Sequence, residues 1–368
     1  MDAAEYEALG LYDPDAPNAA DRLALLEWLT EQGISIELIV DAHQRDHLTG
    51  LAGDLALRPG ERMTAVEVAE GTGLTVEDVE RIALAIGRPL AGPHERAFTS
   101  QDRDVFEMFT TVVELFGEEP LLHFVRVIGS SLGRIADAAV SIFLTDVETP
   151  LTQADAGELA LAKANLEAIE AAKLLPGLMD VVFRALMESA IDRNRTARAE
   201  TESLETVLMA VGFVDLVGFT PLSQRLPATE LAAVVREFEA AAYDTVAAHA
   251  GRVVKLIGDE VMFVALDAMS ASEIALALVE HFGQEASVTP RGGLSVGEVL
   301  TRGGDYYGPV VNVASRIAEL AVPSEILVTE EVRERAEKSS SPFAFDAAGR
   351  RLLKGFDEPL ELFALRRA

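Results

Sequence analysis

Cysteine is absent from the 368 residues, which removes disulfides, thiolate catalysis and Cys-ligated zinc or iron–sulfur centres from consideration. Positive charge is scarce: 31 Lys and Arg stand against 61 Asp and Glu, a formal charge of −30. Binders of nucleic acid or of anionic membranes need at least one positive face, so both classes are disfavoured. Lysine is rarer still, occurring only at positions 163, 173, 255, 338 and 354. No basic and apolar leader opens the chain, which starts MDAAEYEALG. The longest apolar region, Leu121 to Leu144, is interrupted by Arg126, Arg134 and Asp137. A membrane-crossing helix needs about 20 predominantly apolar residues. These absences predict a soluble, cytoplasmic protein with no transmembrane segment.

What is present is ordinary for a packed protein, 49% apolar and 25% charged. At roughly 150 residues per domain the length predicts two or three domains. Residues 1–200 carry 16 basic and 36 acidic side chains, and residues 201–368 carry 15 and 25. The first half is rich in Ala, Leu and Glu at helical spacing, as in ADRLALLEWLTEQG with Leu23, Leu26 and Leu29. Pro and Gly punctuate it at Arg58-Pro59-Gly60, Gly92-Pro93 and Pro176-Gly177. The expectation is an all-α domain over residues 1–190, then a charged linker or switch helix over 191–205. Within that domain, residues 63–87 read as helix, Gly-containing turn, helix, with Thr75 and Asp78 opening the second helix. A DNA-reading helix presents Arg, Lys, Asn or Gln to base edges. This one presents Glu77, Asp78 and Glu80 with Arg81 the only cation, and a helical packing module is favoured over a DNA-binding regulator.

From Thr206 the pattern becomes strand-like. TVLMAVGFVDLVGF is apolar and β-branched, a helical stretch follows, and RVVKLIGDEVMFVAL is two apolar runs joined through Gly258-Asp259, a hairpin signal. A second helical stretch, then GGLSVGEVLT, complete a β-α-β-β-α-β order: a ferredoxin-like split βαβ core with additions, in an α+β domain over residues 206–368.

Three clusters in this half carry chemistry. Asp215 ends an otherwise apolar strand, where a buried carboxylate is costly unless it is paired or holds a metal. Gly218 and Thr220 then open a turn into a helix, whose exposed N–H groups suit a phosphate. Asp259 tips the hairpin that follows Lys255, and two carboxylates at strand ends make a hard oxygen site for Mg²⁺ or Mn²⁺. In GDYYGPVVNVASRIAE, Asp305 precedes a helix on which Asn312 and Arg316 share a face at four-residue spacing. Each residue alone also fits a bland role as a cap, turn or surface charge.

Together the clusters resemble the class III nucleotidyl cyclase catalytic domain. The resemblance implies two divalent metal ions on Asp215 and Asp259. It implies adenine read by Lys255 and Asp305, and Asn312 and Arg316 orienting the ribose and stabilising the transition state. Lys354, in LKGF, would touch the terminal phosphates. The implied substrate is ATP, cyclised to 3′,5′-cyclic AMP and pyrophosphate in a homodimer with two shared active sites. A lysine donor and an aspartate acceptor complement adenine, whereas guanine presents the opposite polarity. A guanylyl cyclase of the same fold is the alternative. The first half, on LLEWLTEQG and residues 117–144, resembles the helical regulatory domain of cytosolic actinobacterial cyclases. That domain restrains the cyclase, releases it at mildly acid pH and is a candidate holder of a lipid-like ligand.

Six histidines are present, and His43 and His47 are expected on one helix face without a third ligand nearby. Histidines and crowded carboxylates are both available as proton sensors. The GG[DE]EF hairpin of diguanylate cyclases is missing; Gly303-Gly304-Asp305-Tyr306-Tyr307 follows the wrong element.

Overall fold

The computed structural model describes residues 1–199, 206–282, 288–338 and 342–368. The chain divides into two compact units, Met1–Arg184 and Ala185–Ala368. The part of the charged linker at residues 200–205 lies outside the described residues.

The first unit is helical: α1 (Ala3–Ala8), α2 (Ala19–Glu31), α3 (Ile36–Gln44), α4 (Leu51–Leu57), α5 (Ala65–Thr72), α6 (Val76–Ile86), α7 (Ser100–Phe116) and α8 (Glu118–Phe143). A π turn at Leu144–Glu148 carries α8 into α9 (Thr149–Gln153), and α10 (Glu158–Ala172) follows. The leucine spacing of α2 buries Leu25, Leu26 and Leu29 against Tyr6 and Ile39, with Ala162 of α10 in the same cluster. Full burial of such a leucine contributes about 2 kcal/mol. A second cluster joins Val68, Val79, Ile82, Phe98, Phe106 and Leu122 from α5 to α8 and the loop before α7. Thr75 and Asp78 form a reciprocal capping box at the start of α6. Arg81 is engaged by Asp78 and Glu118 rather than projecting alone.

One sequence expectation changes here. Helix α3 ends at Gln44 and the backbone turns left-handed at Asp46 (φ 58°), so His47 lies beyond the helix and shares no face with His43. The His43 Nδ1 instead lies 3.3 Å from Arg22 Nη1. In addition, the continuous helical stretch Glu118–Gln153 is long and apolar enough by composition to cross a membrane, with only 6% of its apolar window buried. Its exposed side chains include Phe124, Ile128, Leu132, Ile135, Val140 and Ile142.

Helix α11 (Leu175–Arg198) leads into the second unit, whose elements are β1 (Thr206–Val217), α12 (Phe219–Ser223), α13 (Ala228–Ala248), β2 (Arg252–Ile257), β3 (Glu260–Ala265), α14 (Ala268–Phe282), β4 (Thr289–Arg302), β5 (Asp305–Tyr307), α15 (Pro309–Leu320), β6 (Ile326–Thr329), α16 (Glu330–Lys338), β7 (Phe343–Arg351) and β8 (Leu360–Arg367). The sheet order is β2-β3-β1-β4-β6-β8-β7, with β5 paired to β4. Period-two alternation in β1 divides its side chains between two faces. Ala210, Val214 and Leu216 join the core under α13, α14 and α16. Val207, Met209, Val211 and Phe213 point to the other face, where Ala314 and Ala318 of α15 pack. Asp215 is the next residue on that second face, which is why a charge can follow so apolar a strand.

Helix α15 lies hard against β4 because Gly293 has no side chain. A Cβ there would stand 2.5 Å from Ala314 O and 2.6 Å from Ile317 Cγ1, and would also strike Ala318 N.

Candidate active site

Asp215 lies opposite Glu260 of β3 on one side and Arg291 of β4 on the other. Arg291 pairs with it, Nη2 and Nε donating to Asp215 Oδ2 at 3.0 and 3.2 Å. The same guanidinium donates from Nη1 to the carbonyls of Glu319 (2.8 Å) and Ala321 (3.3 Å) at the end of α15. Asp259 sits in the β2–β3 turn after Gly258, whose positive φ of 65° suits a tight hairpin. Its carbonyl accepts from Leu216 N at 3.1 Å, which docks the turn beside the end of β1.

The carboxylates crowd one another. Burial, and then the charges of Asp215, Glu319 and Asp259, push the Glu260 carboxyl up to about 7 despite Arg291. Burial and the Asp215 charge also hold Asp259 above its ordinary range. Excess negative charge offset by one guanidinium is the donor chemistry that a hard divalent cation relieves, so Asp215 and Asp259 fit such ions. Among the described residues no three His, Asp or Glu side chains form a ready-made cage.

Lys255 reaches the same face through a β-bulge. Val253 lies opposite Phe263 and Lys255 opposite Met262, leaving Val254 as an extra residue. In unbroken register Lys255 would oppose Val261 and point under the helices of the main core. The bulge turns it toward Met262's face, where Nζ donates to Asp305 Oδ2 at 2.5 Å. Asp305 Oδ1 accepts from Tyr306 N at 2.8 Å, so both carboxylate oxygens are engaged. On α15, Asn312 is exposed, and Arg316 donates to Glu319 Oε1 at 2.7 Å. Lys354 is exposed in the turn between β7 and β8. The structure thus gathers Asp215 with Asp259, and Lys255 with Asp305. It sets Asn312 and Arg316 on the helix that Arg291 ties to Asp215.

Sequence reasoning passes over Arg291 and Glu260. The available signal was a charge preceding Gly292-Gly293 in an otherwise apolar strand, but its meaning depends on a pairing across 76 residues.

Comparison with known proteins identifies the family of the chain. Residues 4–190 match the adenylate cyclase regulatory domain, and residues 200–367 match the adenylate and guanylate cyclase catalytic domain. An uncharacterised protein of Mycobacterium tuberculosis is 33% identical over 367 residues, 99% of this chain and 94% of that protein. An adenylate cyclase of Streptomyces coelicolor is 32% identical over 322 residues, covering 85% and 83% respectively. A pH-sensitive adenylate cyclase of M. tuberculosis is 32% identical over 365 residues, covering 95% and 88%. The chain belongs to the adenylate and guanylate cyclase family, with the adenylate cyclase regulatory domain preceding the catalytic domain.

Proposed function

We propose that this enzyme is an adenylate cyclase, converting ATP to 3′,5′-cyclic AMP and pyrophosphate. The observation that carries the substrate assignment is the 2.5 Å pair of Lys255 and Asp305 on the face that also bears Asp215. A cation donor beside a carboxylate acceptor matches adenine's N1 and 6-amino group. Guanine would leave both groups mismatched, at about 1–3 kcal/mol each.

Asp215 and Asp259 would hold the divalent ions, which when bound lower the pKa of the attacking ribose hydroxyl and neutralise the triphosphate. Asn312 orients the ribose. Arg316, permanently charged and fork-shaped, exchanges its exposed Glu319 contact for the α-phosphoryl oxygens as charge builds there. Lys354, exposed in the turn between β7 and β8, is assigned to the terminal phosphates. We place the working site between two copies of the chain, Asp215 and Asp259 from one and Lys255, Asp305, Asn312 and Arg316 from the other. The exposed apolar faces of α8 and α11, the latter with Leu178, Val182, Phe183 and Leu186, support assembly into a homodimer. The regulatory domain would control turnover, with mild acid and a lipid-like ligand as the inputs to examine.

The test is incubation of the full chain with ATP or GTP and Mn²⁺ or Mg²⁺ across pH, with the cyclic product quantified. Cyclic AMP formation supports the assignment. Preferential cyclic GMP formation replaces it with the guanylyl reading, and no product from either nucleotide overturns it.

A further inference from the structure

We infer that the catalytic unit holds a second binding site, for a small carboxylate with a flat apolar body, between the last turns of α11 and the β4–β5 hairpin. A cavity of about 230 Å³ lies there. It falls below the roughly 300–1,000 Å³ of typical small-molecule pockets, which limits the ligand to about a single ring bearing its acid group. Ala190, Ala197, Val207 and Met209 supply apolar wall, while Arg193 and Arg252 bring positive charge.

Arg252 is the residue that looks unfinished. Its Nη2 donates to Gly304 O at 2.7 Å, and its guanidinium lies 5.3 Å from the Tyr306 ring centroid. Among the described residues its Nε has no hydrogen-bond partner and is closed to a water-sized neighbour, so a ligand in the cavity meets this guanidinium at its terminal nitrogens. The one carboxylate lining the cavity, Asp305, is already bound by Lys255 at 2.5 Å. Among the described residues neither Arg193 nor Arg252, both lining this small space, has an acid partner of its own, in a chain of charge −30. A ligand carboxylate satisfies both through charge-assisted hydrogen bonds, and the Tyr306 ring with the alanine and methionine walls takes the flat body.

Such a ligand would bridge Arg193 of α11 to Arg252 of β2, holding the entering helix against the hairpin that positions Asp305. Its effect on turnover rests on the adenylate cyclase reading, but its binding does not.

The experiment uses the full chain with benzoate as probe and benzamide, its uncharged counterpart, as control. Benzoate should bind with millimolar affinity by calorimetry and raise the melting temperature by a few degrees at concentrations well above Kd. Benzamide should do neither. Arg193→Gln, on an accessible helix face, and Arg252→Gln should each weaken benzoate at least tenfold. α,β-Methylene-ATP with Mn²⁺ should leave benzoate bound. No benzoate binding, equal binding of benzamide, unchanged affinity in Arg193→Gln, or displacement by the nucleotide would each overturn the inference. A chain that binds benzoate as described yet makes no cyclic nucleotide would sink the cyclase reading alone.

Discussion

Lys255 and Asp305 stand fifty positions apart in the chain and 2.5 Å apart in space. Replacing Lys255 with Met keeps the bulk of the side chain but removes the donor. The expected outcome is a fall of about 100-fold in kcat/KM for ATP, with the secondary-structure spectrum unchanged. Steady-state kinetics with ATP checks it, and undiminished ATP turnover would remove Lys255 from the site.

Asp215→Asn and Asp259→Asn should reduce cyclic AMP formation to background, and chelation of divalent ions should do the same to the wild type. Asp259→Asn should also melt no lower than wild type at neutral pH, because burial and the Asp215 charge both oppose ionisation there. Thermal melting beside the activity assay separates loss of chemistry from loss of fold.

Gly293→Ala should displace α15, because the new Cβ meets helix backbone at Ala314 and Ala318, which cannot yield as a flexible side chain would. Overpacking of this kind costs about 1–3 kcal/mol. The expected result is a lower melting temperature together with a loss of kcat. Wild-type kcat in the variant would show that α15 tolerates the shift.

In the first unit, burial alone would raise the Asp102 carboxyl. Thr99, through its backbone N–H and hydroxyl, and then Arg58 outweigh this and hold it below its ordinary range. Arg88 Nη1 also donates to it at 2.9 Å. A depressed carboxyl stabilises the fold above its unfolded pKa, and that contribution is lost as pH falls through the folded value. The melting-temperature gap between wild type and Asp102→Asn should be widest near pH 6 and should close as the pH drops below about 4. A gap that is constant with pH would assign the stabilisation to packing.

Much of the architecture could be read locally. The apolar, β-branched runs marked β1 to β4, and Asp215 drew notice because it is a charge at the end of an apolar strand. Arg291 could not be recognised in that way, since what defines it is alignment beside Asp215 in a sheet built from distant segments. The end of α3 depended on the left-handed turn at Asp46, which helical spacing of His43 and His47 does not reveal. Helix α11 continues from Leu175 to Arg198, into the charged stretch read as a linker or switch helix, and its Ala197 is buried in one cluster with β1 and β3 side chains. The side-chain direction of Lys255 was equally hidden, since a bulge leaves no mark in a Val-Val pair.

On the proposed reading of Lys255, that Val253-Val254 doublet makes base recognition a question of pairing phase. Deleting Val254 would close the bulge and leave the lysine opposite Met262, whereas losing the bulge with both valines kept would set it opposite Val261, on the side of the sheet covered by α13 and α14. The face on which the lysine is presented is thus set by how β2 pairs with β3, and a change of pairing that removes the bulge would withdraw Lys255 as surely as a substitution at the lysine itself.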